Sequence, residues 1–509
     1  MKRIAILIFL FPFVFVRQSF GLDDIEARLK TLEETIKVQQ NTIENQQREI
    51  NELKGQQKRA TLSQAASPPG TQVSSKETVE QSKPQEVEET ADRTKQIDKK
   101  YSENLKTLEV NSFAQPKFVP DISFILDGSY VDRNVKDATL EHLKVPAFIP
   151  SGIESNNQNR GFNFNYGELY LHSAVDPYFD LNATIPFSED GVEVEEAYIT
   201  TTSLPLGFQV KAGKFRSSFG RLNPQHEHVW DFADAPLVNR AFFGEEGLDE
   251  NGVQINWLAP TPFYLLLGAE ILQGENDASF GTGAITLSKN GFPEFTKDET
   301  ERPNLLVAFV KSSMDIGNLS LLGGLSYAQG KTRLTATNDT TPIASYGDTQ
   351  IFGVDLTAKY FIDSYRYVSW QSEFMYRHMD LTTGANLAPD NPNQPLSIFD
   401  EGKRQSGFYS QLVFRFSERW RIGARYDLLN QNDVYLSGEK QNFPGDLNKL
   451  SAMLDFHLSE FSMLRLQFSR DNSLFAGNSL FAGNNTRESK NEVILQYNIA
   501  IGAHGAHSF

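Results

Sequence analysis

Along residues 411–429, QLVFRFSERWRIGARYDLL, apolar and polar positions alternate with a period of two. Leu412, Phe414 and Phe416 fall in one series, which resumes past the short SER turn as Trp420, Ile422, Ala424, Tyr426 and Leu428. The other series is Gln411, Val413, Arg415, then Arg421, Gly423, Arg425 and Asp427. Successive side chains of a strand point to opposite faces, so one face suits hydrocarbon and the other suits water. The same alternation begins in DISFILDGSY at Asp121 and recurs in sixteen segments, the last being NEVILQYNIAI. Each is near the ~9–11 residues of a tilted membrane-crossing strand.

The links between segments sort by parity. Every second one is tight: 176–178, 204–207, 259–262, 315–318, 363–364, 417–419 and 459–460. Most of the others are long and polar, such as 132–161, 217–251, 273–303 and 379–406, with SEDG at 188–191 the short exception. A β-sandwich has no reason to sort its loops this way, whereas outer-membrane barrels alternate short periplasmic turns with long external loops. Closure also removes the edges that a large open sheet would expose. The predicted fold is therefore an all-β transmembrane barrel of sixteen antiparallel strands over 118–509. Its arginines face a water-filled lumen and its aromatic and aliphatic series faces lipid. The opposite assignment puts Arg421 or Arg425 into hydrocarbon at ~2–4 kcal/mol each.

The pattern is different ahead of the barrel. Lys2 and Arg3 precede an uncharged run from Ile4 to Val16, with Ser19 and Gly21 at −3 and −1 of a cut, so 1–21 reads as a secretory signal peptide. Over 22–54 apolar residues recur at steps of three and four: Leu22, Ile25, Leu29, Leu32, Ile36, Ile43, Ile50 and Leu53, with Gln39 and Gln46 in the missing places. This heptad predicts an N-terminal α-helical coiled coil, three-stranded rather than two-stranded, projecting as a periplasmic stalk. The alternative is a helix lying on its own barrel, which the narrow stripe disfavours. Residues 55–117 are polar and poor in large apolar side chains, and read as a largely disordered linker.

Composition narrows the partners. The chain has no cysteine, so an exported product does not rely on disulfides. The formal net charge of −17 becomes more acidic without the signal's Lys2, Arg3 and Arg17, which argues against nucleic acid. The 38 phenylalanines and 17 tyrosines suit a barrel with half of each strand turned outward.

The last outward series keeps its parity to Phe509, and a terminal strand ending in phenylalanine resembles the sorting signal of bacterial barrel-assembly machinery. Sixteen strands, a long third external loop and that terminal residue together resemble the porins. The segment EEAYITTTSLPLGFQVKAGKFRSSFGRLNP, 195–224, is similar to the phosphate-selective porin O/P family through Glu196-Ala197-Tyr198, Gly213-Lys214-Phe215-Arg216 and Phe219-Gly220. The resemblance implies an outer-membrane porin for passive diffusion of small anionic or polar solutes, a homotrimer whose third loop folds inward to narrow the pore. The partners it implies are outer-membrane lipid and the assembly machinery. The coiled coil adds the alternative of a barrel anchor that tethers the membrane to the cell wall or another partner.

Parity places Lys211, Lys359, Arg377, Arg415, Arg421, Arg425 and Arg465 on the lumen face. The third loop (217–251) offers Asp231, Asp234, Glu245 and Glu246 against Arg221 and Arg240, so carboxylates are expected opposite an arginine arc across a constriction. The competing expectation is that the arginines pair with wall carboxylates such as Asp355, Glu373, Asp427 and Asp455. His226 and His228 bracket Glu227, short of the three or four ligands of a zinc site, so no metal and no other cofactor is expected. An energy-dependent uptake receptor needs a globular plug and ~22 strands, which the polar linker and the strand count do not supply. No Gly-x-Ser-x-Gly elbow, metalloprotease motif or nucleotide loop occurs, and no catalysis is expected.

Overall fold

The computed structural model describes residues 120–141, 143–146, 158–189, 191–276, 278–336, 341–476 and 486–502. The expected signal peptide, coiled coil and linker, and the terminal Phe509, lie outside the described residues.

The period-two segments pair with their chain neighbours into one antiparallel sheet of 20 strands. Four short strands, 143–144, 191–192, 433–436 and 439–440, belong to loops, which leaves sixteen in the wall. These are β1 (Asp121–Arg133), β2 (Gly161–Ala174), β3 (Phe179–Ser188), β4 (Glu196–Thr201), β5 (Phe208–Arg216), β6 (Asp249–Leu258), β7 (Tyr264–Leu272) and β8 (Leu305–Ile316). The others are β9 (Leu319–Ala336), β10 (Ile343–Phe361), β11 (Tyr367–Ala385), β12 (Ser397–Arg415), β13 (Trp420–Leu429), β14 (Leu447–Ser459), β15 (Ser462–Ala476) and β16 (Thr486–Gly502). β1 pairs with β16 from Ser123↔Gly502 to Arg133↔Glu492, and this seam closes the cylinder.

Links at one rim are short, as the parity predicts. β8 and β9 are joined by Gly317 and Asn318 alone, across an Ile316↔Leu319 pair. Gly317 has φ 61°, a conformation that a side chain with a Cβ resists and a two-residue turn requires. At the other rim the wall rises unevenly: β9 to β12 run 18–19 residues, whereas β3 to β7 run six to ten. The link expected at 379–406 accordingly shrinks to 386–396. Beyond the apolar band both faces meet water, so the alternation fades while the ladder hydrogen bonds continue.

The outward face is the apolar one. Leu412 and Ile422 are about half exposed, while Gln411, Val413, Arg425 and Asp427 are buried. Trp257, Tyr360, Trp370, Phe416 and Trp420 are exposed close to the short-turn rim. There Phe208 stacks on Trp257 and Trp420 packs against Phe456, with centroids 4.6 Å apart in the latter pair. Exposed and buried have this meaning because the lumen is not empty. The segment between β5 and β6, 217–248, is packed against the inner wall, and a continuous apolar cluster joins it to side chains of β7 through β15.

Candidate functional site

The interior segment is held from both ends by the wall. Arg216↔Asp249 is the last pair of the β5–β6 ladder, so the chain leaves and re-enters the wall at one place. Just inside, two lumen-facing carboxylates accept its backbone. Glu270 accepts from Ser217 Oγ and from Ser218 N–H at 2.9 Å; Glu373 Oε1 accepts from the N–H groups of Arg221 and Leu222. These bonds satisfy donors that no helix or sheet partners, which buried backbone requires.

The segment then forms a short helix, Leu237–Phe243, with all seven residues buried. Leu237, Val238, Ala241, Phe242 and Phe243 make it apolar nearly all round, which suits a helix enclosed by protein. Gly244 ends it at φ 79°. Wall glycines admit its neighbours: a Cβ at Gly353 would stand 2.7 Å from the Phe219 ring, and one at Gly407 would stand 3.0 Å from Val238 Cγ2.

The cationic arc meets this segment by direct contact. Arg425 donates to Asp234 Oδ1 at 3.0 Å and to Asp427 at 3.0 Å, and Lys449 also pairs with Asp234. Arg421 pairs with Asp231 at 2.9 Å and with Asp455. Arg465 bonds Asp455 at 3.0 Å and the Trp230 carbonyl at 2.8 Å. Wall pairing and loop pairing thus occur together on the same guanidinium groups. Arg425, Arg465 and Lys449 are nearly inaccessible, so the picture of arginines lining open water does not describe them. Burial alone would raise Asp234, but Lys449 and Arg425 hold its carboxyl far below the usual range.

Arg377 is buried differently. Its guanidinium lies 4.6 Å from the Phe242 ring and donates to the carbonyls of Ala241 and Ala278 and to Ser279 Oγ. Lys211 stands over the Tyr198 ring at 4.5 Å, and Arg415 reaches back to the Glu418 carbonyl in its own short turn. Lys359 lies over Tyr367 at 4.4 Å and lines a cavity of about 220 Å³ with Arg221, Arg421 and Asp231, toward the short-turn rim.

The long-loop side has the opposite charge. A crevice of about 260 Å³ is lined by Glu168, Glu193, Glu195, Glu227, Glu245, Glu246 and Asp249 against Lys214, Arg216 and His226. Arg240 pairs with Glu245 at 3.2 Å, and the Glu246 carbonyl accepts from Arg216 at 3.0 Å. Burial would raise Glu195, yet Arg216 and His226 hold it well below the usual carboxylate range. Burial would lower His226, but Glu195 and Glu196 bring it up to about 10. Burial pushes Glu227 up to about 7 despite the nearby Arg216. Glu168, Glu195 and His226 also converge closely enough to hold a metal ion. Sequence reasoning singled out only the histidine of these three, because the two carboxylates come from other elements; Glu195-Glu196 heading the motif of 195–224 was the available signal.

No protein-family model matches the chain. An Aquifex aeolicus (strain VF5) protein described as uncharacterized is 51% identical over 424 residues, covering 82% of this chain and 86% of that protein. Among solved structures, OmpT, an outer membrane protein of Vibrio cholerae, aligns at 10% identity and TM-score 0.44, over 75% of this chain and 97% of its own. The outer membrane channel DcaP of Acinetobacter baumannii aligns at 11% identity and TM-score 0.40, over 75% and 97%. The anion-selective porin from Comamonas acidovorans aligns at 11% identity and TM-score 0.40, over 75% and 99%. At such scores these are similarities of barrel architecture, and neither solute nor assembly transfers from them.

Proposed function

This chain belongs to the family of the uncharacterized Aquifex aeolicus protein, and we propose that it is an outer-membrane porin, a passive channel for small anionic or polar solutes with its third loop as constriction. One observation carries the reading. A closed wall of sixteen strands turns an apolar band outward and keeps its charged groups inside, while the segment 217–248 occupies the lumen. Sixteen-stranded barrels are wide enough for an aqueous channel, and charged rings or opposed charges sort what passes. The short-turn rim is then periplasmic and the long-loop rim external.

A solute entering from outside meets the acidic crevice first and the cavity of Arg221, Lys359 and Arg421 second. Three cations against Asp231 in that inner cavity support the anionic preference, as does the resemblance of 195–224 to the phosphate-selective porins. A homotrimer is the assembly this reading expects. Purified protein in planar bilayers under a salt gradient tests both parts at once. Discrete conductance steps with an anion-selective reversal potential are expected; a protein that inserts without steps would overturn the channel.

A further inference from the structure

We propose that Glu168, Glu195 and His226 bind one first-row divalent cation, zinc being the probe of choice, and that the ion fastens the third loop to the wall. One ligand atom from each of the three lies within 4.8 Å of the others. His226 Nδ1 stands 3.2 Å from Glu195 Oε2 and 3.9 Å from Glu168 Oε2. Donors about 2.0–2.2 Å from a tetrahedral ion stand about 3.3–3.6 Å from one another, so only small adjustments seat it. An imidazole among the donors favours a transition-series cation over calcium or magnesium.

The surrounding groups orient these donors. His226 Nε2 lies 2.9 Å from Glu196 Oε2, and the other oxygen of Glu196 accepts from the Arg216 N–H at 2.8 Å. A carboxylate so anchored keeps the proton on Nε2 and turns the Nδ1 lone pair toward the ion, the usual backing of a metal-bound histidine. Glu195 is oriented likewise: its Oε1 accepts from Arg216 Nε at 2.8 Å, which leaves Oε2 facing the crevice. His228 Nδ1 lies 3.5 Å from Glu168 Oε2, and its ring stacks on His226 at 5.8 Å.

Two independent groups in the same crevice point to a ligand. Asp249, with its side chain only 5% exposed, lines the crevice; its Oδ2 pairs with Lys214 at 3.1 Å, while its Oδ1 is buried and lacks a hydrogen-bond partner among the described residues. The Tyr166 hydroxyl, on the same lining, is buried and unpartnered too. Buried polar atoms are seldom left so, and an ion with its bound water supplies what they lack. Glu168 is on β2, Glu195 lies just before β4 and His226 on the loop, so one ion links three elements and opening the loop releases it.

The test is calorimetric titration of zinc chloride into chelator-stripped, full-length protein in detergent, which reads binding whether or not the barrel conducts. One saturable site per chain is expected, with calcium unable to compete. Glu168→Gln and His226→Gln should each weaken binding at least ~10-fold, and Glu196→Gln, which acts through the histidine and not on the ion, roughly 10–100-fold. Heat-modifiable migration on unheated gels shows which variants fold. If His226→Gln does not fold, Glu168→Gln and Glu196→Gln decide. Absence of saturable zinc binding in the wild type, or equal affinity in the folded variants, would overturn the site.

Discussion

Asp234→Asn should loosen the third loop from the inner wall. The carboxylate is 4% exposed as a residue and takes bonds from Arg425 at 3.0 Å, Gln467 at 2.7 Å and Lys449. An asparagine keeps the shape and one acceptor, but it leaves two buried cations short of an anion. Removing one partner of a buried pair costs ~3–5 kcal/mol, because the other charge stays desolvated. Arg425 retains Asp427 at 3.0 Å, so the lower end applies, about 3 kcal/mol. At ~1.4 kcal/mol per factor of ten, the loop should be undocked on the order of a hundredfold more often. Single-channel recording reads this as more frequent excursions to a higher conductance, and protease added to reconstituted vesicles should reach 217–248 sooner. Adding Lys449→Met should restore the wild-type record, since replacing both members of a buried pair is close to neutral. An open fraction unchanged in Asp234→Asn, or a double variant no better than the single, would refute the argument.

Three further outcomes are open to measurement. Exchanging Arg421 and Lys359 for glutamate turns a cavity of three cations and one anion into one of a single cation and three anions, so the reversal potential in a salt gradient should move toward cation preference. In chelator-stripped protein, His226 at about 10 and Glu227 at about 7 both lie above their unfolded values, so each favours docking below its unfolded pKa and ceases to as pH rises through its folded one. Gating events should therefore increase from about pH 4.5 to pH 7 and again up to about pH 10, whereas a flat record would exclude the crevice as a latch. Leu466→Arg, on the outward face opposite Leu495, should destabilise the barrel by ~2–4 kcal/mol in lipid, read from urea midpoints in vesicles.

The wall was legible because its physics is periodic. A strand exposed to two different surroundings must alternate, and the turn-loop parity named the two rims. The interior was less legible, since parity says only that a side chain points inward. Ile351, Met375 and Tyr409 occupy inward positions where a water-filled barrel calls for polar residues, and each proves to pack in the cluster around the loop helix. Those exceptions, with the apolar run LVNRAFF at 237–243, were the available sign that the loop lies on the inner wall. Arg377 shows the limit: nothing in its own strand distinguishes it from Arg425, yet one caps a helix through carbonyls and the other is held by carboxylates.

The apolar cluster has a bearing on how the cylinder is built. It draws members from β5 and from β7 through β15, residues scattered across most of the chain, so the curling sheet has a nucleus to wrap. The seam is another matter, because it joins residue 123 to residue 502, and contacts so remote in sequence are the slowest to form. A shut tube has no side door. Its mouth stays open, however, and the filling hangs from a single place on the rim, so 217–248 is free to swing down into the lumen after the first and last staves meet.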